Sequence, residues 1–176
     1  MFIGLRPLEP YDEAAVLRIL EARPQYLGLT AGPTTAPVDV QNQFYAVPDG
    51  ATEGQKRLLV IESDRVVAGV LDAIMDYPEL GVASIGMFAI DPGSPLRRHG
   101  VPVATLVVER AVAEGITTVH AGCPNGWLPG ERLLWRLGFA PVEGEDEPDN
   151  PVLRPHAGGT GIRRWVGELA PARTAL

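Results

Sequence analysis

Apolar and polar positions divide the chain into short strands and a few amphipathic helices. Phe2-Ile3-Gly4-Leu5-Arg6 predicts a first strand. Pro10 suits a first helical position, and Tyr11 to Ala22 carries Ala15, Val16, Ile19 and Leu20 at helical spacing before Pro24 stops it. From residue 24 to 56 Pro, Gly and Thr dominate, and only Val38 to Tyr45 has a helical pattern. Long connections of this kind in a small domain tend to be functional or mobile. Two β-rich runs, Leu58 to Glu62 and Val66 to Ile74, flank Ser63-Asp64-Arg65, which predicts a hairpin. Val82 to Ile90 is a third run, stopped by the turn Asp91-Pro92-Gly93. Val103 to Glu114 then sets Ala104, Val107, Val108, Ala111 and Val112 on one helical face, with Gly115 as its cap. Thr117 to Ala121 predicts a strand, Pro129 to Leu137 a short helix ended by Gly138, and Phe139 to Val142 another strand. Glu143 to Asn150 is an acidic loop and Ile162 to Leu169 a last strand. The order predicts a mixed α/β domain around one sheet.

Composition narrows the function classes. At 176 residues the chain suits a single domain spanning 1–176 and needs neither disulfide nor structural metal to bury a core. Its net charge of −7 argues against nucleic acid and membrane surfaces as partners, so a phosphate-bearing ligand requires a local basic pocket. One cysteine, Cys123, excludes an internal disulfide and every Cys-rich zinc pattern, and no metal site is expected. The N-terminus lacks the apolar run of a signal peptide and no segment is long enough to span a bilayer, which makes a cytoplasmic protein the expectation.

One segment concentrates candidate chemistry. Ala89 to Val103 runs from a strand end through Arg97-Arg98-His99-Gly100 into an amphipathic helix. Unpaired N–H groups and partial positive charge at a helix start can seat a pyrophosphate, and two arginines add to that charge. A plain strand-to-helix connection with solvated arginines fits the same residues. No Gly-x-x-x-x-Gly-Lys stretch exists, which excludes a P-loop. Gly158-Gly159-Thr160-Gly161 links no strand to a helix and reads as a loop. His120 and Cys123, three apart on a strand, point to opposite faces and cannot share a metal. His99 and His156 read as solvated loop histidines, and Cys123 as a buried, inert thiol.

These residues resemble the GCN5-related N-acetyltransferase family over most of the chain. The family's acetyl-CoA motif, Gln/Arg-x-x-Gly-x-Gly/Ala between a strand and a helix, matches Arg97-Arg98-His99-Gly100-Val101-Pro102. Gly86-Met87-Phe88-Ala89-Ile90-Asp91-Pro92 is similar to its fourth strand and Val67-Ala68-Gly69-Val70-Leu71-Asp72 to its third. Leu133-Leu134-Trp135-Arg136-Leu137-Gly138-Phe139 resembles its second motif, Tyr-x-Lys-x-Gly-Phe. The resemblance implies a mostly antiparallel sheet with helices on both faces, whose fourth and fifth strands part to admit a pantetheine arm. It implies that the backbones of Phe88 and Ile90 pair with the arm, that amides from Arg98 to Val103 (Arg98, His99, Gly100, Val101, Pro102, Val103) wrap the pyrophosphate beside Arg97, and that Asn125 is a side-chain partner. The implied reaction is direct acetyl transfer from acetyl-CoA to the primary amine of a small molecule, with a homodimer left open. A catalytically degenerate acyl-CoA-binding module is the alternative.

Three positions depart from the family pattern. Pro102 stands where Gly or Ala is usual, Leu134 where a Tyr would protonate the thiolate, and Ser84 where some members carry a base Glu. Two proton routes follow. Ser84 relays through water to Glu79, or the amine arrives neutral and Cys123 or water protonates the thiolate.

Overall fold

Turn chemistry builds the sheet. The computed structural model describes residues 1–23, 25, 45–143 and 161–169. Strands β2 (Lys56–Ser63) and β3 (Val66–Met75) form the expected hairpin through Asp64 and Arg65, both at positive φ (49° and 68°). Such two-residue loops match the right-handed twist of the strands they join. β1 (Ile3–Pro7) pairs antiparallel with β2, and β4 (Val82–Ile90) antiparallel with β3. β5 (Thr118–Pro124) lies parallel to β4, which requires a crossover, and α2 (Gly100–Ala113) supplies it. β7 (Ile162–Glu168) pairs antiparallel with β5, and β6 (Ala140–Pro141) with β7, giving a seven-stranded sheet in the order β1-β2-β3-β4-β5-β7-β6.

Helices cover both faces, as the resemblance implies. α1 (Glu13–Glu21) buries Val16, Ile19 and Leu20 against Val60, Val70 and Ala89 on one face. On the other, Val103 of α2 packs with Leu96, Ile61 and Ile90. Beneath α3 (Leu128–Arg136) lies a cluster of Ile116, Val119, Cys123, Phe139 and Trp165. Gly115, φ +93°, ends α2 in the left-handed region that its missing Cβ makes accessible.

Three of the expected elements have different bounds. The first helix opens with a 3-10 turn at Pro10–Asp12 before α1 begins. α2 starts at Gly100 rather than Val103, which puts Pro102 third in the helix. Its missing N–H is an orphan of the first turn in either frame, so the helix loses nothing. The strand expected over Phe139–Val142 shortens to Ala140–Pro141, because the Phe139 N–H turns back to the Leu134 carbonyl at 3.0 Å. Residues 38–44 of the expected helix, 144–150 of the acidic loop, His156 and 158–160 of the glycine run lie outside the described residues.

One charged network ties the sheet edge to α1. Arg6 grips Asp12 with two bonds (2.6 and 2.9 Å) and Glu62 with a third (2.8 Å), while Asp12 also accepts the Glu9 N–H at 2.9 Å. The guanidinium holds the buried Asp12 carboxyl below its ordinary value. That lowered pKa makes its stabilisation present above the unfolded carboxylate value, near pH 4, and lost as pH falls through the folded one. Asp12→Asn is therefore expected to cost about 2 kcal/mol at pH 7 and much less at pH 3. Urea midpoints at both pH values check this, and an equal deficit at each would refute it.

Candidate functional site

β4 and β5 make a fork. Their pairing covers only Val82–Ile85 against Thr118–Ala121, after which Gly86–Ile90 and Gly122–Pro124 run on without pairing to each other. A bulge marks the parting point: the β3 register passes from Asp72↔Met87 to Ala73↔Ile85, skipping Gly86. Bulges bend a strand and free a backbone group from the ladder, and both occur here where β4 leaves β5. Asp91 donates its N–H to the Ala68 carbonyl, so strand alternation turns the backbone groups of Ile90 and Phe88 away from β3 and into the fork. Arg23, just past α1, donates to the Ile90 carbonyl across this open edge.

The basic loop leaves the open end of the fork. Asp91 accepts the Gly93 N–H at 2.7 Å, Ser94 accepts the Leu96 N–H at 3.2 Å, and the fully buried Leu96 anchors the turn. Arg97 and Arg98 are exposed, with no ion pair among the described residues. His99 caps α2 and sets its Nδ1 3.2 Å from the Pro95 carbonyl. The stretch from Arg98 to Val103, which the resemblance assigns to a pyrophosphate, has fewer free N–H groups than that assignment implies. His99 N–H is spent on the Leu96 carbonyl, Val103 N–H on the His99 carbonyl, and Pro102 has none. Among the described residues, Gly100 and Val101 remain as the free donors of the first turn. A Cβ on Gly100 would meet only Leu133 Cδ1 at 3.6 Å, so the fold itself does not require glycine there. Asn125 follows the other prong, exposed, with its backbone N–H on the Gly161 carbonyl at 2.9 Å.

An apolar cavity of about 150 Å³ adjoins the fork on the α2 face. Gly86, Phe88, Gly122 and Cys123 line its fork end, and Leu134 lines the wall below α3. Cys123 is buried with Sγ 3.8 Å from the Trp127 carbonyl, and a Cβ on Gly130 would press to 2.9 Å from that sulfur. Burial above all, and then Glu131, push its thiol up to about 12, against some relief from Arg163. Such a thiol keeps its proton.

Two other expected catalytic groups fall elsewhere. Ser84 is fully buried on the α1 face and donates its hydroxyl to the Tyr77 carbonyl at 2.8 Å, a structural bond that a proton relay would have to break. Glu79 is exposed in the β3–β4 turn, at the closed end of the strands. Four residues of strand, roughly 13 Å, separate Val82 from the bulge, so this carboxylate does not reach the fork.

The sequence reading weighed His120 only as a metal ligand with Cys123, not as a group at the strand fork. The parallel register sets it beside Ser84 on the α1 face, one residue before the last rung of the fork, Ile85↔Ala121. Spacing alone separates it from Cys123; only strand pairing puts the imidazole at the fork apex. On the same face, beside Met87, lies Asp72, buried and 2.8 Å from Lys56 Nζ, the chain's one lysine. Burial raises the Asp72 carboxyl despite the attraction of Lys56. No group of three or more His, Cys, Asp or Glu among the described residues could hold a metal, and none of their helices is long and apolar enough to cross a membrane.

No protein-family model and no curated protein matches the sequence. Solved structures do match the fold. A GCN5-related N-acetyltransferase from Kribbella flavida superposes with TM-score 0.65 at 21% identity, over 95% of this chain and 98% of that one. An acetyltransferase from Thermus thermophilus does so with TM-score 0.68 at 20% identity, over 96% and 98%. A spermidine N-acetyltransferase from Vibrio cholerae, in complex with CoA and spermine, does so with TM-score 0.70 at 11% identity, over 96% of each chain. The fold of this chain is the GCN5-related N-acetyltransferase fold.

Proposed function

We propose, on the premise of that fold, that this chain transfers an acetyl group from acetyl-CoA to a small-molecule primary amine. The observation that carries the reading is the fork whose open edge leads straight into a helix start beside two exposed arginines. The pantetheine arm would lie as a strand against the Phe88 and Ile90 backbones once Arg23 releases the Ile90 carbonyl. The Gly100 and Val101 amides with Arg97 and Arg98 would hold the pyrophosphate, with His99 and Asn125 bordering the mouth. The acidic surface suits a cationic acceptor, and the spermine bound by the Vibrio structure is an amine of that class.

The proposed chemistry assigns each proton. The amine lone pair attacks the thioester carbonyl carbon at the fork apex. Its oxygen gains negative charge, for which the bulged Gly86 N–H is a donor off the β3 ladder. His120 takes the ammonium proton, because imidazole is the side chain that exchanges protons near neutral pH. This moves the proton acceptor away from Ser84 and Glu79. The carbon–sulfur bond then breaks and the thiolate leaves, to be protonated by water. Leu134 has no proton to give, and Cys123 holds its own too tightly to pass it to an ordinary thiolate.

The cofactor half is tested by calorimetry with CoA. Arg98→Ala is expected to weaken binding about tenfold or more, since a charge-assisted bond to phosphate is worth about 1.5–3 kcal/mol. Gly100→Val should lose more by blocking backbone approach, without lowering the melting temperature, because the site around Gly100 is open on the protein side. Pro102→Gly is expected to keep binding or tighten it, as it adds a donor. Unchanged affinity in both Arg98→Ala and Gly100→Val refutes the site. Thiol release from acetyl-CoA with a panel of amines separates an enzyme from a pure binder, which melts higher with CoA yet releases none.

A further inference from the structure

The cavity does not end where an acetyl group would. From the fork it continues under α2 past Ala104, Val107 and Ala111 to Glu114, ten helical residues or roughly 15 Å. That direction leads away from the start of α2, where a pyrophosphate would sit, and therefore beyond the inner end of the pantetheine arm. Across from α2 the floor is Leu71, Ala73 and Ile85, all apolar. Ala73 and Ile85 are a cross-strand pair on one face, next to the bulge. The far end is rimmed by exposed charge, with Arg110 Nε 3.4 Å and Arg57 Nε 4.0 Å from Glu114.

We propose that this chain takes acyl-CoA donors longer than acetyl, housing a straight acyl chain of medium length in the cavity below α2. This rests on the proposed function and names its donor class. The cavity is about 150 Å³ with its fork end included, and its lining beyond the fork is mostly aliphatic, which gives room for several methylenes. Filling it with methylenes removes them from water at no cost in unpaired polar groups. The charged end sets a limit on length. The carbonyl stays at the fork apex while the tail points to the α2 face, and the amine approaches from the α1 face beside His120. Transfer of the longer acyl group balances as for acetyl: the carbon–sulfur bond breaks, the carbon–nitrogen bond forms and the ammonium loses one proton.

Calorimetry of the full chain with CoA, acetyl-CoA and hexanoyl-CoA tests this without knowing the acceptor. A fully buried methylene is worth about fourfold in affinity, so hexanoyl-CoA is expected to bind at least about tenfold tighter than acetyl-CoA. Ala111→Phe and Ala73→Val fill the cavity from opposite walls. Each is expected to shrink that ratio towards one, with the rise in melting temperature on adding CoA showing that the variant is folded. Hexanoyl-CoA binding no tighter than acetyl-CoA, or a ratio unmoved in both folded variants, overturns the proposal. If CoA itself fails to bind the wild type, the cofactor reading falls instead.

Discussion

Lys56→Met is expected to lower stability by about 3–5 kcal/mol at pH 7, because it leaves Asp72 as a lone buried carboxylate. The side chains of the pair are only 12% and 11% exposed, and their 2.8 Å contact joins diagonal neighbours on β2 and β3. The pH dependence has a definite sign. Burial raises the Asp72 carboxyl above its unfolded value, so its favourable contribution is present below about pH 4 and is lost as pH rises through the folded value. Removing Lys56 raises it further. The deficit of Lys56→Met should therefore be largest near neutrality and shrink towards pH 4. Asp72→Leu combined with Lys56→Met removes both charges and is expected to restore stability to wild type or above. Urea unfolding of the single and double variants checks this. A single variant as stable as wild type, or a double variant no better than the single, would sink it.

His120→Gln is expected to slow acetyl transfer to an amine by about 10²–10⁴-fold, the usual contribution of a positioned proton acceptor. CoA affinity should hold, since the cradle at Arg97–Val101 is separate from the fork apex. Ser84→Ala is expected to act on stability, through the lost bond to Tyr77, more than on turnover. The measurement is thiol release across pH with spermidine among the acceptors, alongside CoA titration. A His120→Gln variant that turns over within about threefold of wild type would place the proton acceptor elsewhere.

Local pattern made much of the fold legible. Val82–Ile90 is found with the bounds its apolar run predicts, and the β2–β3 hairpin sits on its polar joint. These features depend on neighbours in sequence: alternation over a strand, and residues that tolerate a tight turn. The basic loop was legible for the same reason, since Arg97, Arg98 and Gly100 are contiguous with the helix they introduce. Helix starts were less so. Gly100 enters α2 because His99 offers its carbonyl to Val103, a bond that no propensity announces.

Among the described residues, the amino-acid order by itself determined which segments are strands and helices, which face of α1 and α2 is apolar, and where an anion could be seated at a helix start. Long-range pairing decided the rest. Whether Ser84 meets solvent or the Tyr77 carbonyl, whether Glu79 is near the fork, and which strand His120 neighbours all depend on the register of β4 against β3 and β5. A one-residue slip of that register would turn every side chain to the other face. The bulge at Gly86 is such a local slip, and it is where the two strands part. The pKa of Cys123 and the volume under α2 belong to the same level, because desolvation and empty space arise only when distant segments are packed together.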